Sequence, residues 1–390
     1  MKLYSYRLRS LFALVLIVLA GCTGQTSKHF TSASVVEAIS STGDDTFAHA
    51  TAPRPFTFPH DHGPHPEYRT EWWYYTGNLQ DDQGKQYGYQ LTFFRSGLTA
   101  NMPARASDLA TNQFYMAHFA VTSQPANEHL SFERFSRGAG GLAGSTGDPL
   151  YQVWLEDWSV KQTATKRYQL QATAQDKTGP VAINLTLNET RPPLLHGDQG
   201  LSQKGPEPGN ANYYYSLINL QTAGSLTFAG QSFQVTGLSW MDHEFGTSAL
   251  GADITGWNWF SAQLDNGAVL MFGTFHDSKG ESRYVYEGSL LFPDNRKVRL
   301  QQGDFEVKVL DKWKSPVTGF TYPSGWQVNF PKYKLEFEMT PLIRAQEMEV
   351  RFIYYEGAIT IKGTMDGAPI TGQGYVELTG YGEELNEYQR

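Results

Sequence analysis

Residues 71–79 read EWWYYTGNL, two tryptophans and two tyrosines behind one glutamate, in a chain whose aromatic content is 14%. Side chains of a strand alternate between its faces, so Glu71, Trp73 and Tyr75 fall on one side and Trp72, Tyr74 and Thr76 on the other. A strand that is aromatic on both faces needs two covers, a barrel lumen on one side and a partner barrel or core on the other. The glutamate at its entrance needs partners too, since an unpaired buried carboxylate costs roughly several kcal/mol. Arg69, the HDHG segment (60–63) and a buried tyrosine are the candidates.

Working outward, the chain keeps the same period. YQLTFF (89–94), YQLQATAQ (168–175), VAINLTLNE (181–189), SFQVTGLSW (232–240), AVLMFGTF (268–275) and YKLEFEM (333–339) alternate or run apolar at strand length, with DDQG (81–84), LDNG (264–267) and MDG (365–367) as turns. ASDLATNQFYMAHFAV (106–121) is the best helix candidate. Many short strands in meander order predict an all-β fold of barrels or sandwiches. An internal repeat refines this. Trp72, Tyr74, Tyr75 and Leu79 precede one turn, and Trp257, Trp259, Phe260 and Leu264 precede another at the same spacing. The closing stretches also match, Gly237 to Asp242 lying on Gly372 to Glu377. The repeat predicts two β units meeting near Gly246–Gly256, an N-terminal domain over 57–246 and a C-terminal one over 247–390.

The N-terminus sets the address. Lys2, Arg7 and Arg9 precede ten apolar residues, LFALVLIVLA, too few to span a bilayer, so residues 1–21 read as a signal peptide. Leu19-Ala20-Gly21-Cys22 resembles the lipobox of bacterial lipoproteins, and Cys22 is the single cysteine, so no intramolecular disulfide can form. Thr23 follows where an inner-membrane retention signal would place aspartate. The expectation is a cell-envelope protein lipid-anchored through Cys22, in the outer membrane facing the periplasm, with the Ser-, Thr- and Ala-rich residues 22–56 as a flexible tether. The whole chain carries a formal charge of −8, and cleavage removes three positive charges, so nucleic acid is excluded as a partner.

The richest chemistry lies in Ser239-Trp240-Met241-Asp242-His243-Glu244-Phe245-Gly246. Period two sets Trp240, Asp242 and Glu244 on one face and His243 on the other. Two carboxylates this close in a low-dielectric pocket push one towards its neutral form, which is what protonation of an unactivated substrate needs. A structural reading stands beside it, in which Asp242 and Glu244 pair with arginines or backbone amides, and the matching Glu377 favours that reading.

EWWYYTGNL, FPHDHGPHPEYRT (58–70), NYYYSL (212–217), GLSWMDHEFG (237–246), GWNWF (256–260) and GYVELTGY (374–381) together closely resemble the AttH and carotenoid 1,2-hydratase (hydroxyneurosporene synthase, CrtC-like) family. The resemblance implies two lipocalin-like antiparallel β-barrel domains packed side by side. It also implies a hydrophobic, lipid- or isoprenoid-like ligand and, from the AttH branch, an ABC transporter permease and ATPase as candidate partners. The alternative it carries is an enzyme adding water to an isoprenoid double bond. Asp242, at the family's acidic position, would then be the acid, Trp240 with Tyr214 or Trp73 the aromatic faces, and His243 or Glu71 the group orienting water.

The candidate site residues are therefore Asp242, His243 and Glu244 for catalysis and Glu71, Trp73, Tyr75, Tyr214, Trp240, Trp257 and Trp259 for ligand binding. His60, His62 and His65, with His118 and His243, could gather a metal, but their proline- and glycine-bracketed stretch reads as a capping loop, and neither metal nor cofactor is expected. A hydrolase has no evident nucleophile, since the Gly-x-Ser-x-Gly elbow is absent.

Overall fold

The computed structural model describes residues 46–101, 107, 109–205, 207–247, 250, 254–277 and 282–382, with the backbone alone for 282–287. The signal peptide, Cys22 and residues 22–45 of the expected tether lie outside them. Residues 46–56 are not free of the body. Phe47 and Ala50 are buried, the Ala48 carbonyl accepts from Thr247 Oγ1, and the Ala52 carbonyl accepts from Tyr213 OH at 2.8 Å.

The described residues form two lipocalin-like antiparallel barrels packed side by side. A 13-stranded sheet over Thr70–Gly246 curls into a nearly closed barrel, and a 10-stranded sheet over Gly256–Leu378 forms a half-barrel. In the first, the strand Thr70–Asp81 pairs with Gln86–Gly97 on one side and with Gln231–Gly246 on the other. In the second, Gly256–Leu264 holds the same place between Val269–His276 and Ala368–Leu378. The repeat seen in sequence is thus the repeat of the two central strands. Tyr74 stands opposite Asp242 as Trp259 stands opposite Glu377.

Each unit has its own core. Trp73, Tyr75, Leu79, Leu91, Phe119, Trp158, Leu185 and Met241 fill the first, and Phe260, Leu264, Phe272, Trp326 and Phe337 the second. Phe119 meets Trp158 edge-on, ring centres 5.6 Å apart, across the first barrel's interior. A third cluster joins the outer faces, with Tyr74, Tyr214, Ile218 and Trp240 from the first unit against Trp259, Met271, Ala358 and Tyr375 from the second, and Trp72 and Trp257 packed on it. The double-sided aromatic pattern of 71–79 has this cause: one face fills the lumen and the other fills the joint.

The best helix candidate, 106–121, instead contributes the strand Gln113–Ser123. Tyr115, Ala117, Phe119 and Val121 enter the first core, while Met116, His118 and Ala120 are buried on the opposite face. Burial on both sides erases the alternation that marks a half-exposed strand, and the apolar run then imitates a buried helix.

Candidate active site

Where the two outer faces meet they leave a pocket. It is lined by Trp72, Tyr74, Thr92, Phe94, Lys204, Asn212, Tyr214, Asp242, Glu244, Leu250, Trp257, Trp259, Phe275 and Glu377. Its walls are aromatic and its polar groups few and convergent, the usual make-up of a small-molecule site.

Asp242 is buried among these groups and held by three donors. Ser216 Oγ and Trp240 Nε1 donate to its Oδ1 at 2.5 and 2.6 Å, and Tyr214 OH donates to its Oδ2 at 2.7 Å. Trp259 Nε1, from the second barrel, donates to Tyr214 OH at 3.0 Å, fixing that hydroxyl. Burial pushes the Asp242 carboxyl up to about 7 in spite of the three donors, and the charge of Glu244 adds a smaller push. The order of causes differs from the sequence expectation, in which Glu244 held the proton on Asp242. Glu244 is occupied elsewhere: Lys204 Nζ lies 2.5 Å from its Oε1 and Asn212 Nδ2 donates to the same atom at 2.8 Å.

A hydroxyl and an imidazole stand behind Asp242. Ser216 Oγ lies 2.6 Å from His196 Nε2, and His196 Nδ1 lies 3.0 Å from Ser289 Oγ of the second barrel. Burial holds His196 well below the ordinary histidine range, so the ring is neutral, with one donor and one acceptor nitrogen. A proton on Asp242 can then be accommodated by reversing the chain. Asp242 donates to Ser216, Ser216 donates to Nε2, and Nδ1–H donates to Ser289.

Glu71 and His243 sit on the other face of the same two strands and do not reach the pocket. Glu71 accepts from Arg95 Nε at 2.8 Å and from the His65 backbone N–H at 3.0 Å, and it meets His65 Nδ1 at 2.9 Å and His243 Nε2 at 2.8 Å. Its arginine partner is Arg95, directly opposite on the next strand, and not one of the three candidates named from sequence, Arg69, the HDHG segment or a buried tyrosine. Burial would raise Glu71, but Arg95 and the two histidines hold it far below the carboxylate range. His65 also bonds Asp61 at 3.2 Å, and Asp61 takes an ion pair from Arg54 at 2.5 Å. His62 bridges Tyr215 and Tyr168, and Trp73 Nε1 donates to the His62 carbonyl at 2.9 Å. The HDHGPH loop therefore caps the first barrel. Ligand atoms of His65, Glu71 and His243 lie within 4.8 Å of one another, a spacing that could hold a cation, but the cation already at this carboxylate is the Arg95 guanidinium.

Of the residues singled out from sequence, the structure brings Asp242, Glu244, Tyr214, Trp257 and Trp259 to the pocket and sets Trp240 behind Asp242. Glu71, Trp73, Tyr75 and His243 face the first barrel's interior. Trp72, Tyr74 and Glu377 line the pocket although sequence assigned them other roles. Lys204 and His196 carry no sequence signal, being single polar residues in irregular stretches, and Asn212, the first residue of NYYYSL, is not singled out within that motif.

A two-barrel fold with a carboxylic acid buried in an aromatic inter-barrel pocket defines the class. The chain belongs to the AttH-like family, whose model matches residues 49–381. It is 24% identical over 267 residues to kievitone hydratase of Fusarium solani subsp. phaseoli, an alignment spanning 64% of this chain and 71% of that protein. The crystal structure of a protein described as AttH from Nitrosomonas europaea is 30% identical and superposes with a TM-score of 0.75 over 86% of this chain and 99% of that one. Kievitone hydratase from Nectria haematococca, at 16% identity and a TM-score of 0.63 over 87% and 97% of the two chains, shares the fold.

Proposed function

We propose that this protein binds a hydrophobic, isoprenoid-like molecule in the inter-barrel pocket and hydrates it by acid catalysis from Asp242. The observation that carries the reading is the Asp242 carboxyl, buried at an aromatic pocket and pushed up to about 7, so that a neutral acid is present near neutral pH. Membership of a family with a hydratase relative supports it.

Hydration of an alkene begins with proton transfer to the less substituted carbon. Asp242 delivers that proton, and a tertiary cation forms among Trp72, Trp257 and Trp259. An aromatic face contributes about 2 kcal/mol to a desolvated cation. Water then adds to the cationic carbon and loses a proton. The carboxylate left on Asp242 is held by Ser216, Tyr214 and Trp240 until it is reprotonated.

Asp242→Asn keeps the side-chain volume but has no acidic proton. Turnover of an acyclic isoprenoid falls by about three orders of magnitude or more, while affinity, measured by quenching of tryptophan fluorescence, stays within about threefold. Unchanged turnover contradicts the reading. Binding without turnover in the wild type leaves a carrier, the second reading that the aromatic lining supports.

We further propose that Cys22 is acylated and anchors the protein to the cell envelope, with an ABC exporter as partner. This rests on the lipobox-like sequence and the family resemblance. Metabolic labelling with palmitate tests the anchor against Cys22→Ala.

A further inference from the structure

We propose that Glu377, brought to the pocket by the second barrel, is the catalytic base that takes the proton of the attacking water, and that the buried polar groups around Glu356 hold that water. The proposal rests on the hydratase reading above, because a base for water has work only if a cation is formed.

Glu377 lines the same pocket as Asp242 from the facing sheet. Within each barrel the acid stands opposite an aromatic residue of the central strand, Asp242 opposite Tyr74 and Glu377 opposite Trp259. The two carboxyls therefore reach a bound molecule from different barrels, the arrangement that adding a proton and a hydroxyl to neighbouring carbons requires. Their hydrogen bonding differs in the way their tasks differ. Asp242 already accepts from three donors, so once it has released its proton little of its surface is open to a second one. Glu377 has the Trp257 indole as its hydrogen-bonded neighbour, which leaves lone pairs for a water.

Behind Glu377 lies a polar floor that the protein does not saturate. Glu356 is directly opposite Glu377 on the neighbouring strand and fully buried. Tyr74 OH donates to its Oε2 at 2.7 Å, while its Oε1 finds no hydrogen-bond partner among the described residues. The same holds for Tyr375 OH, Thr76 Oγ1 and Gln90 Oε1, all buried on strands that carry pocket-lining residues. Buried polar atoms left this way are costly unless water meets them, and a site with several such atoms is where a water is held. Burial also raises Glu377, to about 8, with Asp242 and Glu244 adding to the push, so a single proton shared with Asp242, at about 7, rests more often on Glu377, and the reactive form with Asp242 protonated and Glu377 ionised is reached by the same proton transfer that resets the site.

The Asp242 O–H bond breaks and a C–H bond forms at the alkene. The water oxygen bonds the cationic carbon, and its O–H bond breaks as the proton passes to the Glu377 carboxylate. The products are the tertiary alcohol, ionised Asp242 and protonated Glu377, and return of one proton from Glu377 to Asp242 resets the site.

Geraniol in D2O, a small isoprenoid with a trisubstituted terminal alkene, separates the two transfers. The wild type gives the hydrated diol carrying deuterium. In Glu377→Gln, hydration falls at least about 100-fold, while recovered geraniol still gains deuterium at the alkene carbon, because Asp242 continues to protonate it reversibly. Glu356→Gln gives an intermediate loss of hydration with exchange retained. If Glu377→Gln does not fold, Glu377→Asp, with its carboxylate withdrawn by one methylene, lowers hydration at least about tenfold and leaves exchange intact. Hydration within threefold of wild type in a folded Glu377 variant overturns the proposal and leaves the hydratase reading standing. Loss of exchange together with hydration makes Glu377 the proton donor and overturns its role as base. A wild type that neither hydrates nor exchanges overturns both.

Discussion

Glu71 and Asp242 lie close together on neighbouring strands and are both buried, yet their surroundings drive them in opposite directions. Glu71 meets a guanidinium, two imidazoles and a backbone amide, and they hold its carboxyl far below the ordinary carboxylate range. Asp242 meets two hydroxyls and an indole, all neutral, and burial prevails. Burial alone therefore does not separate a structural carboxylate from a chemical one; the charge of its partners does. The first barrel's interior is electrically compensated and belongs to the fold, whereas the joint between barrels retains an uncompensated acid and a pocket beside it.

The sharpest way to break this contrast is to remove charge from the compensated site. Glu71→Gln leaves Arg95 buried without its counterion and lowers stability by about 3–5 kcal/mol, read from urea denaturation at pH 7. A loss below about 1 kcal/mol would mean that the cluster is not the clamp described. The substitution does not touch the pocket, so the folded fraction retains its ligand affinity.

The two sites also give pH dependences of opposite sign. Glu71 has a folded pKa below its unfolded value, so its stabilisation is present above the unfolded value, near 4, and is lost as pH falls below it. Asp242 and Glu377 have folded values raised to about 7 and about 8. Their unfolded forms release protons near pH 4 while the folded forms keep them, so stability declines as pH rises from about 4 through 7 and 8. Asp242→Asn should reduce the loss of stability between pH 5 and pH 8 by roughly 2–4 kcal/mol, since every tenfold difference in proton affinity between the folded and unfolded states is worth about 1.4 kcal/mol. A pH slope identical to that of the wild type would show that Asp242 ionises normally.

Much of this is legible in the sequence. Period two in EWWYYTGNL and SWMDHEFG assigns the correct residues to each face, and the Trp-to-Leu repeat locates the two central strands. What is not legible is which face binds. Nothing in a strand's own pattern tells a lumen from a joint when both are aromatic, and the pocket exists only because two outer faces dock. Sequence reasoning therefore makes Trp73 and Tyr75 ligand contacts, while Trp72 and Tyr74 line the pocket. Glu377 is visible as the counterpart of Asp242, and duplication suggests architecture; docking places both copies at one cavity. Arg95 is within reach of sequence reasoning, since the register of the hairpin turning at DDQG sets it opposite Glu71. Lys204 and His196 come from irregular segments with no periodicity to place them.

The central claim is that Asp242 carries a proton near neutral pH at the pocket. Infrared difference spectroscopy of wild type against Asp242→Asn, titrated from pH 5 to pH 9, observes that proton directly. The account predicts a carboxylic-acid carbonyl band present at pH 5, absent from the variant, and replaced by a carboxylate band with a midpoint at about 7. A carboxylate band already complete at pH 5 would make Asp242 an ordinary ionised residue and contradict the account.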